Sequence, residues 1–256
     1  MANYKHIRVE LNDGRADVIL DRPPVNILNI SMMHELSKAF LNLSSDKNLC
    51  AVVIRSEGKA FSAGVDVAEH SSSKVKEMIE VFGKMFKRLW EIPAITFAAV
   101  DGKALGGGCE LAIGCDLVLA SEKAVFAQPE IKVGVFAPMA AVVFPKLIGR
   151  NGSFEFLMSG DDYSASQAEK IGLVNRVFPT DDFYDHVDEY VGKFTKHSAA
   201  VIAITKRAID KTMDKPARDG MTLVDMMYLR NLMKMADAQE GINAFLEKRA
   251  PVWKNR

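Results

Sequence analysis

The chain has 256 residues, 48% of them hydrophobic, and 33 Lys+Arg balance 33 Asp+Glu to a net charge of zero. That balance excludes the basic excess of a nucleic-acid binder and leaves at most a local patch for a phosphorylated ligand. Cys50, Cys109 and Cys115 form no C-x-x-C pair, the start has no apolar signal region, and no apolar run nears the roughly 18 residues of a membrane span, so a cytoplasmic protein without disulfides, zinc or membrane contact is expected.

In chain order, His6–Leu11 alternates as a strand, Asn12-Asp-Gly14 is a hairpin turn, and Ala16–Leu20 returns as a second strand. Pro23 and Pro24 stop the sheet. Apolar residues at Met32, Met33, Leu36, Ala39, Phe40 and Leu43 have helical spacing, and Leu49–Ile54 is a buried strand. Asp66 is a candidate N-cap, and Val75–Trp90 is a long amphipathic helix. Ala94–Val100 and Asp116–Ala120 are further strands. Strand, turn and helix thus recur three times without a clean sequence repeat, which suggests repeated structural units.

Val135–Ile148 is apolar but interrupted by Pro138 and Pro145. Ser164 and Gln167 form a capping box, and Gly172–Val177 is a last strand. Beyond Pro179 the pattern turns helical over Asp181–Phe194, Ala199–Met213 and Met221–Leu246, with a loop at Lys215–Gly220. The methionines of that final stretch pack either on their own core or against a second copy of the chain.

The most informative local feature is Ala104-Leu-Gly-Gly-Gly-Cys-Glu110. Three glycines follow a strand and open a helix, which exposes backbone N–H groups at a positive helix end. The turn is not a dinucleotide fingerprint, since Leu111 stands at the final glycine position, nor a P-loop, since Gly107 is followed by Gly108 and Cys109 instead of Lys and Ser/Thr. It reads either as an anion site beside Glu110 or as a close-packed strand-to-helix turn. Glu110 is either a dipole partner or a proton carrier; Glu130, behind Pro129, is either a loop residue or the second member of an acid–base pair. A second set of N–H donors is available at Ala63 and Gly64, and two donors from separate segments would hold a developing negative charge on oxygen. His70 fits a solvated helix position better than a catalytic base, and Cys109 fits a buried filler.

Taken together, Lys59-Ala-Phe-Ser-Ala-Gly-Val-Asp66, Ala104–Glu110, Asp116-Leu-Val-Leu-Ala120, Gln128-Pro-Glu130, Ser159-Gly-Asp161, Ala168-Glu-Lys-Ile-Gly-Leu-Val174 and Phe245-Leu-Glu-Lys-Arg249 resemble the enoyl-CoA hydratase/isomerase (crotonase) superfamily almost end to end. The resemblance implies an α/β fold, a spiral of ββα units over 1–195, and a helical oligomerisation region over 196–256. It implies a homotrimer or dimer of trimers acting on an acyl-CoA thioester, with no metal or redox cofactor. It assigns Ala63 and Gly107 as the two backbone donors to the thioester oxygen. Glu110 and Glu130, twenty residues apart, match the two hydratase acids. Ala63, Gly64, Val65 and Asp66 match the segment lining the CoA pantetheine and adenine, Gly106 and Gly107 would bind the substrate beside them, and Trp253 and Lys254 would approach the nucleotide.

One segment departs from the ordinary hydratases. Where those carry a glycine-rich Pro-Gly-x-Gly-Gly-Thr run, this chain reads Gly134-Val-Phe-Ala-Pro-Met-Ala-Ala141. Gly134–Pro138, with Asn26-Ile-Leu-Asn29 and Ser62–His70, is similar to the branch that hydrates cyclohexa-1,5-diene-1-carbonyl-CoA in anaerobic aromatic degradation. By that resemblance water adds in a 1,4 sense, and Phe136 and Met139 either line a wide ring pocket or belong to the core.

Overall fold

The computed structural model describes residues 4–256. β1 (Ile7–Asn12) and β2 (Arg15–Leu20) form the antiparallel hairpin expected around Gly14. α1 (Ile30–Ser44) is capped by Asn29, whose side chain accepts the Met32 N–H at 3.0 Å. β3 (Ala51–Ser56), β4 (Ala60–Ser62) and α2 (Val75–Trp90) follow. Met78, Val81, Phe82, Met85, Phe86 and Leu89 make one buried stripe on α2, the spacing that its sequence required.

β5 (Ile95–Val100), β6 (Lys103–Leu105) and α3 (Gly107–Ile113) repeat the strand–strand–helix order, and β7 (Leu117–Ser121) and β8 (Val125–Ala127) begin it again. Each pair sends its first strand to one sheet and its second to another. With β9 (Tyr163–Ser164) and β10 (Arg176–Phe178) further along the chain, the larger sheet has the order β1-β2-β3-β5-β7-β10 and is parallel from β2 onward; the smaller is β4-β6-β8-β9. This alternation is the spiral of ββα units, an α/β fold. The parallel strands are buried on both faces and read as continuous apolar runs such as Ala51-Val-Val-Ile54.

α4 (Pro138–Leu147) starts with a proline, where no intrahelical N–H is lost, and accommodates Pro145 in its last turn. α5 (Gly149–Ser159) was not evident in the sequence: Gly149, Asn151 and Gly152 are weak helix formers. It forms against α4, where the rings of Phe144 and Phe156 meet edge-on at 5.0 Å. β9 (Tyr163–Ser164) leads to α6 (Ala165–Lys170), whose Ser164–Gln167 capping box is present. β10 (Arg176–Phe178) is shorter than the expected Gly172–Val177, because Gly172 is left-handed (φ 85°) and turns the chain before pairing begins.

α7 (Phe183–Val191) and α8 (Ala199–Thr212) match the helical periodicity. The expected helix Met221–Leu246 is two helices, α9 (Ala217–Arg230) and α10 (Ala236–Leu246). Between them Leu232–Lys234 tightens to a 3₁₀ turn and Met235 is extended, so the axis changes although the apolar pattern continues. α9 also absorbs most of the expected loop at Lys215–Gly220. Among the described residues, no helix is long and apolar enough to cross a membrane.

Candidate active site

α3 begins directly beyond β6, and the chain turns at Gly106 with φ 50°. A Cβ on Gly106 would lie 2.5 Å from Glu130 Oε1, and one on Gly107 would lie 2.5 Å from the Val65 Cγ2 and 3.3 Å from the Val65 backbone nitrogen. The glycines are therefore required by close approach, from Glu130 on one side and Val65 on the other. The Gly107 N–H is the first of a helix and has no intrahelical acceptor.

The second donor differs from the one expected. The Ala63 N–H is bonded to the Val25 carbonyl at 2.9 Å, so it cannot serve a ligand. The Gly64 N–H goes to Ser62 Oγ at 3.2 Å and that of Asp66 to the Leu28 carbonyl at 3.1 Å. Among the described residues only the Val65 N–H of this segment has no acceptor, and it belongs to the residue in contact with Gly107. The N–H groups left open side by side are thus those of Val65 and Gly107, whereas the expected Ala63 N–H is already spent. The glycine motif indicated the segment, but only the pairing of the neighbouring N–H groups identifies the residue.

Glu110 lies one turn into α3 and is buried. Its Oε1 accepts the backbone N–H groups of Met139 at 2.8 Å and Ala140 at 2.9 Å, the start of α4. Those donors favour the carboxylate, yet burial outweighs them and, with the nearby Glu130 charge, raises the Glu110 pKa to about 8. Glu130 sits in a 3₁₀ turn, Pro129–Val133, and is half-buried. Burial also raises its pKa, while a hydrogen bond from its own N–H and the charge of His70 oppose the shift. With its amide nitrogen turned toward the acid, buried Gln128 donates to Glu130 Oε2 at 3.0 Å and Oε1 at 3.3 Å. Nothing in the local sequence marks Gln128 as a partner of Glu130.

The remaining candidates divide. Asp66 caps the 3₁₀ turn Val67–His70 by accepting the Ala68 N–H at 3.0 Å. His70 is exposed, its Nδ1 3.2 Å from the Asp66 carbonyl oxygen. Cys109 is fully buried, and burial drives its thiol pKa well up, as suits a filler. Phe136 is 73% exposed on the segment joining the Glu130 turn to α4, with Val133 and Val135 exposed beside it. Met139 is buried, and its backbone rather than its side chain holds Glu110.

Trp253 and Lys254 do not join this cluster within one chain. The Trp253 indole donates to the Lys196 carbonyl at 2.8 Å, the Lys254 N–H donates to Asp237 Oδ1 at 2.7 Å, and Asn255 Nδ2 reaches Asn48 Oδ1 at 3.3 Å. Asn48 precedes β3, so the tail lies at the N-terminal end of that strand, whereas the glycine turn follows the C-terminal ends of the parallel strands.

The assembled groups can hold a negatively charged oxygen on two N–H donors while two carboxyl groups of raised proton affinity take and deliver protons. Comparison with known proteins agrees with that chemistry. The family model described as "Enoyl-CoA hydratase/isomerase" matches residues 10–256. A probable enoyl-CoA hydratase of Mycobacterium tuberculosis is 33% identical over 256 residues, covering 99% of each chain. A probable mitochondrial enoyl-CoA hydratase of Dictyostelium discoideum is 33% identical over 95% of this chain and 89% of its own length. Among solved structures, the Mycobacterium smegmatis enoyl-CoA hydratase superposes with a TM-score of 0.92 at 31% identity, covering 97% of this chain and 99% of its own. The Bacillus anthracis enoyl-CoA hydratase gives 0.94 at 26% identity, with 98% and 100% covered.

Proposed function

The chain belongs to the enoyl-CoA hydratase/isomerase family and is an enoyl-CoA hydratase-type enzyme; from that premise we propose that it adds water across an α,β-unsaturated acyl-CoA, with a cyclic dienoyl thioester as its substrate. The observation that carries the hydratase reading is the placement of Glu110 and Glu130 around one turn whose Gly107 N–H is free. As water attacks the β-carbon, Glu110 takes its proton. Negative charge gathers on the thioester oxygen, which the N–H groups of Val65 and Gly107 hold. Glu130 then delivers a proton to carbon, and coenzyme A takes part only as the carrier of the acyl group.

The ring specificity rests on the segment from Gly134 to Ala141. It carries no glycine pair, and it places exposed Phe136 between the Glu130 turn and the helix that holds Glu110. A flat apolar wall suits a ring better than a flexible chain. For cyclohexa-1,5-diene-1-carbonyl-CoA, water adds in a 1,4 sense and the proton goes to a distal ring carbon. The region over 196–256 is assigned to self-association in a trimer or dimer of trimers, supported by exposed Leu229, Phe245 and Leu246. Residence in the cytoplasm is part of the same proposal, supported by three free cysteines.

The test is to incubate the protein with cyclohexa-1,5-diene-1-carbonyl-CoA and with crotonyl-CoA and to follow hydrated product by mass. Preferred turnover of the ring substrate supports the full proposal. Preference for crotonyl-CoA returns the enzyme to straight-chain hydration. Double-bond migration without water uptake replaces the hydratase reading with an isomerase.

A further inference from the structure

Asn26 is fully buried and adopts the left-handed conformation, φ 52°, on the loop before α1. Its carboxamide is fully engaged. Nδ2 donates to the carbonyls of Glu57 at 2.7 Å and Ala60 at 2.9 Å, and Oδ1 accepts the Arg22 N–H at 2.8 Å. Its carbonyl accepts Ser62 Oγ at 2.7 Å, and that hydroxyl in turn accepts the Gly64 N–H. Ser62 packs directly under the glycine helix, since a Cβ on Gly108 would fall 2.6 Å from the Ser62 Cβ.

The neighbours of Asn26 continue the pattern. Val25 accepts from Ala63, Leu28 donates to the Gly64 carbonyl at 2.8 Å and accepts from Asp66, and Leu28 and Val65 pair as a parallel bridge. Residues 25–28 thus act as a short template strand that consumes the N–H groups of Ala63 and Asp66, and with Ser62 Oγ taking that of Gly64 the N–H of Val65 is left free. Moving the template by one residue would exchange which N–H is consumed. Asn26 fixes its position, because it alone ties the loop to Glu57, Ala60 and Ser62 together.

We propose that Asn26 is the positioning residue of the oxyanion site: through its carboxamide and Ser62 it sets the register that leaves the Val65 N–H aimed at the thioester oxygen beside Gly107. The inference rests on the assignment of Val65 and Gly107 as donors in the reading above. It says nothing of the two acids, which other elements hold.

The experiment uses the full-length protein, a 4-dimethylaminocinnamoyl thioester of CoA and the preferred acyl-CoA substrate. The chromophore absorbs further to the red when its carbonyl is polarised, so the shift on binding reports the two donors without turnover. Asn26→Asp keeps size and φ tolerance but loses both Nδ2 donors; Ser62→Ala removes the link to Gly64. The red shift is expected to fall by about half or more in Asn26→Asp and by a smaller amount in Ser62→Ala. kcat should drop at least about tenfold in Asn26→Asp, as for weakening one oxyanion donor, while KM stays within about threefold. Glu130→Gln should keep the full shift while losing turnover, which separates the donors from the acids. Either folded Asn26 or Ser62 variant with the parental shift and kcat overturns the proposal. Should Asn26→Asp not fold, Ser62→Ala decides it alone. A parent protein that binds the chromophore without any red shift overturns the oxyanion assignment itself.

Discussion

The Val65 backbone nitrogen lies 3.3 Å from where a Cβ of residue 107 would stand, tighter than an ordinary contact, so glycine at 107 is what lets the two backbones approach this closely. Gly107→Ala drives its methyl against Val65 Cγ2 as well, at 2.5 Å. The expected result is a loss of roughly 10²–10³ in kcat, the usual effect of removing an oxyanion donor. Val65→Ala alone should cost little, and adding it to Gly107→Ala should restore part of the loss by relieving the Cγ2 contact. Steady-state kinetics on the four proteins checks this cycle; equal and unrelieved losses would place the donors elsewhere.

Replacing either acid should stop proton transfer without disturbing the fold. Glu110→Gln can still accept from Met139 and Ala140 through its amide oxygen. Hydration is expected to fall by roughly 10²–10⁴ in Glu110→Gln and in Glu130→Gln, the usual contribution of a general acid or base. The double variant should be little worse than the weaker single one, since the two act as a unit. Full hydration activity in Glu110→Gln would remove it from the base role.

The raised proton affinity of Glu110 has a stability consequence. Its pKa is about 8 in the folded protein against 4.5 for an unperturbed glutamate. The folded state therefore binds more protons than the unfolded chain between those values. Stability from this group is complete below 4.5, falls as pH rises, and is lost above about 8. Glu110→Gln should consequently melt higher than the parent at pH 9, with the difference shrinking toward pH 4.5. Thermal melts across that range check the sign; a variant destabilised most at high pH would contradict it.

Phe136 is exposed, so truncating it should leave the fold intact. Phe136→Ala is expected to lower kcat/KM for a cyclic dienoyl-CoA by about 10- to 200-fold if the ring packs on it, the range for an apolar pocket contact. Crotonyl-CoA should change much less. An equal change for both substrates would remove Phe136 from ring recognition.

Much of this was legible in the chain because local chemistry agreed with the fold. Val75–Trp90 has one apolar stripe and is one helix, and Ser164 with Gln167 caps as its spacing requires. Glycines at 106 and 107 mark the turn, and the acids at 110 and 130 both stand beside it. The unread parts depend on long-range pairing. Ala63 matches a donor position by resemblance, and nothing in the sequence says that Val25, far back along the chain, takes its N–H. The break at Met235 was invisible because apolar spacing continues through it. α5 is weak in local propensity and exists through its packing on α4.

The most direct test of the hydratase reading is product analysis in ¹⁸O-labelled water with cyclohexa-1,5-diene-1-carbonyl-CoA. The parent should place one labelled oxygen on the ring in the hydroxylated thioester, and Glu110→Gln should form that product at least about 10²-fold more slowly. Absence of labelled product from the parent, with crotonyl-CoA also left unhydrated, would contradict the assignment of Glu110 and Glu130 to the addition of water.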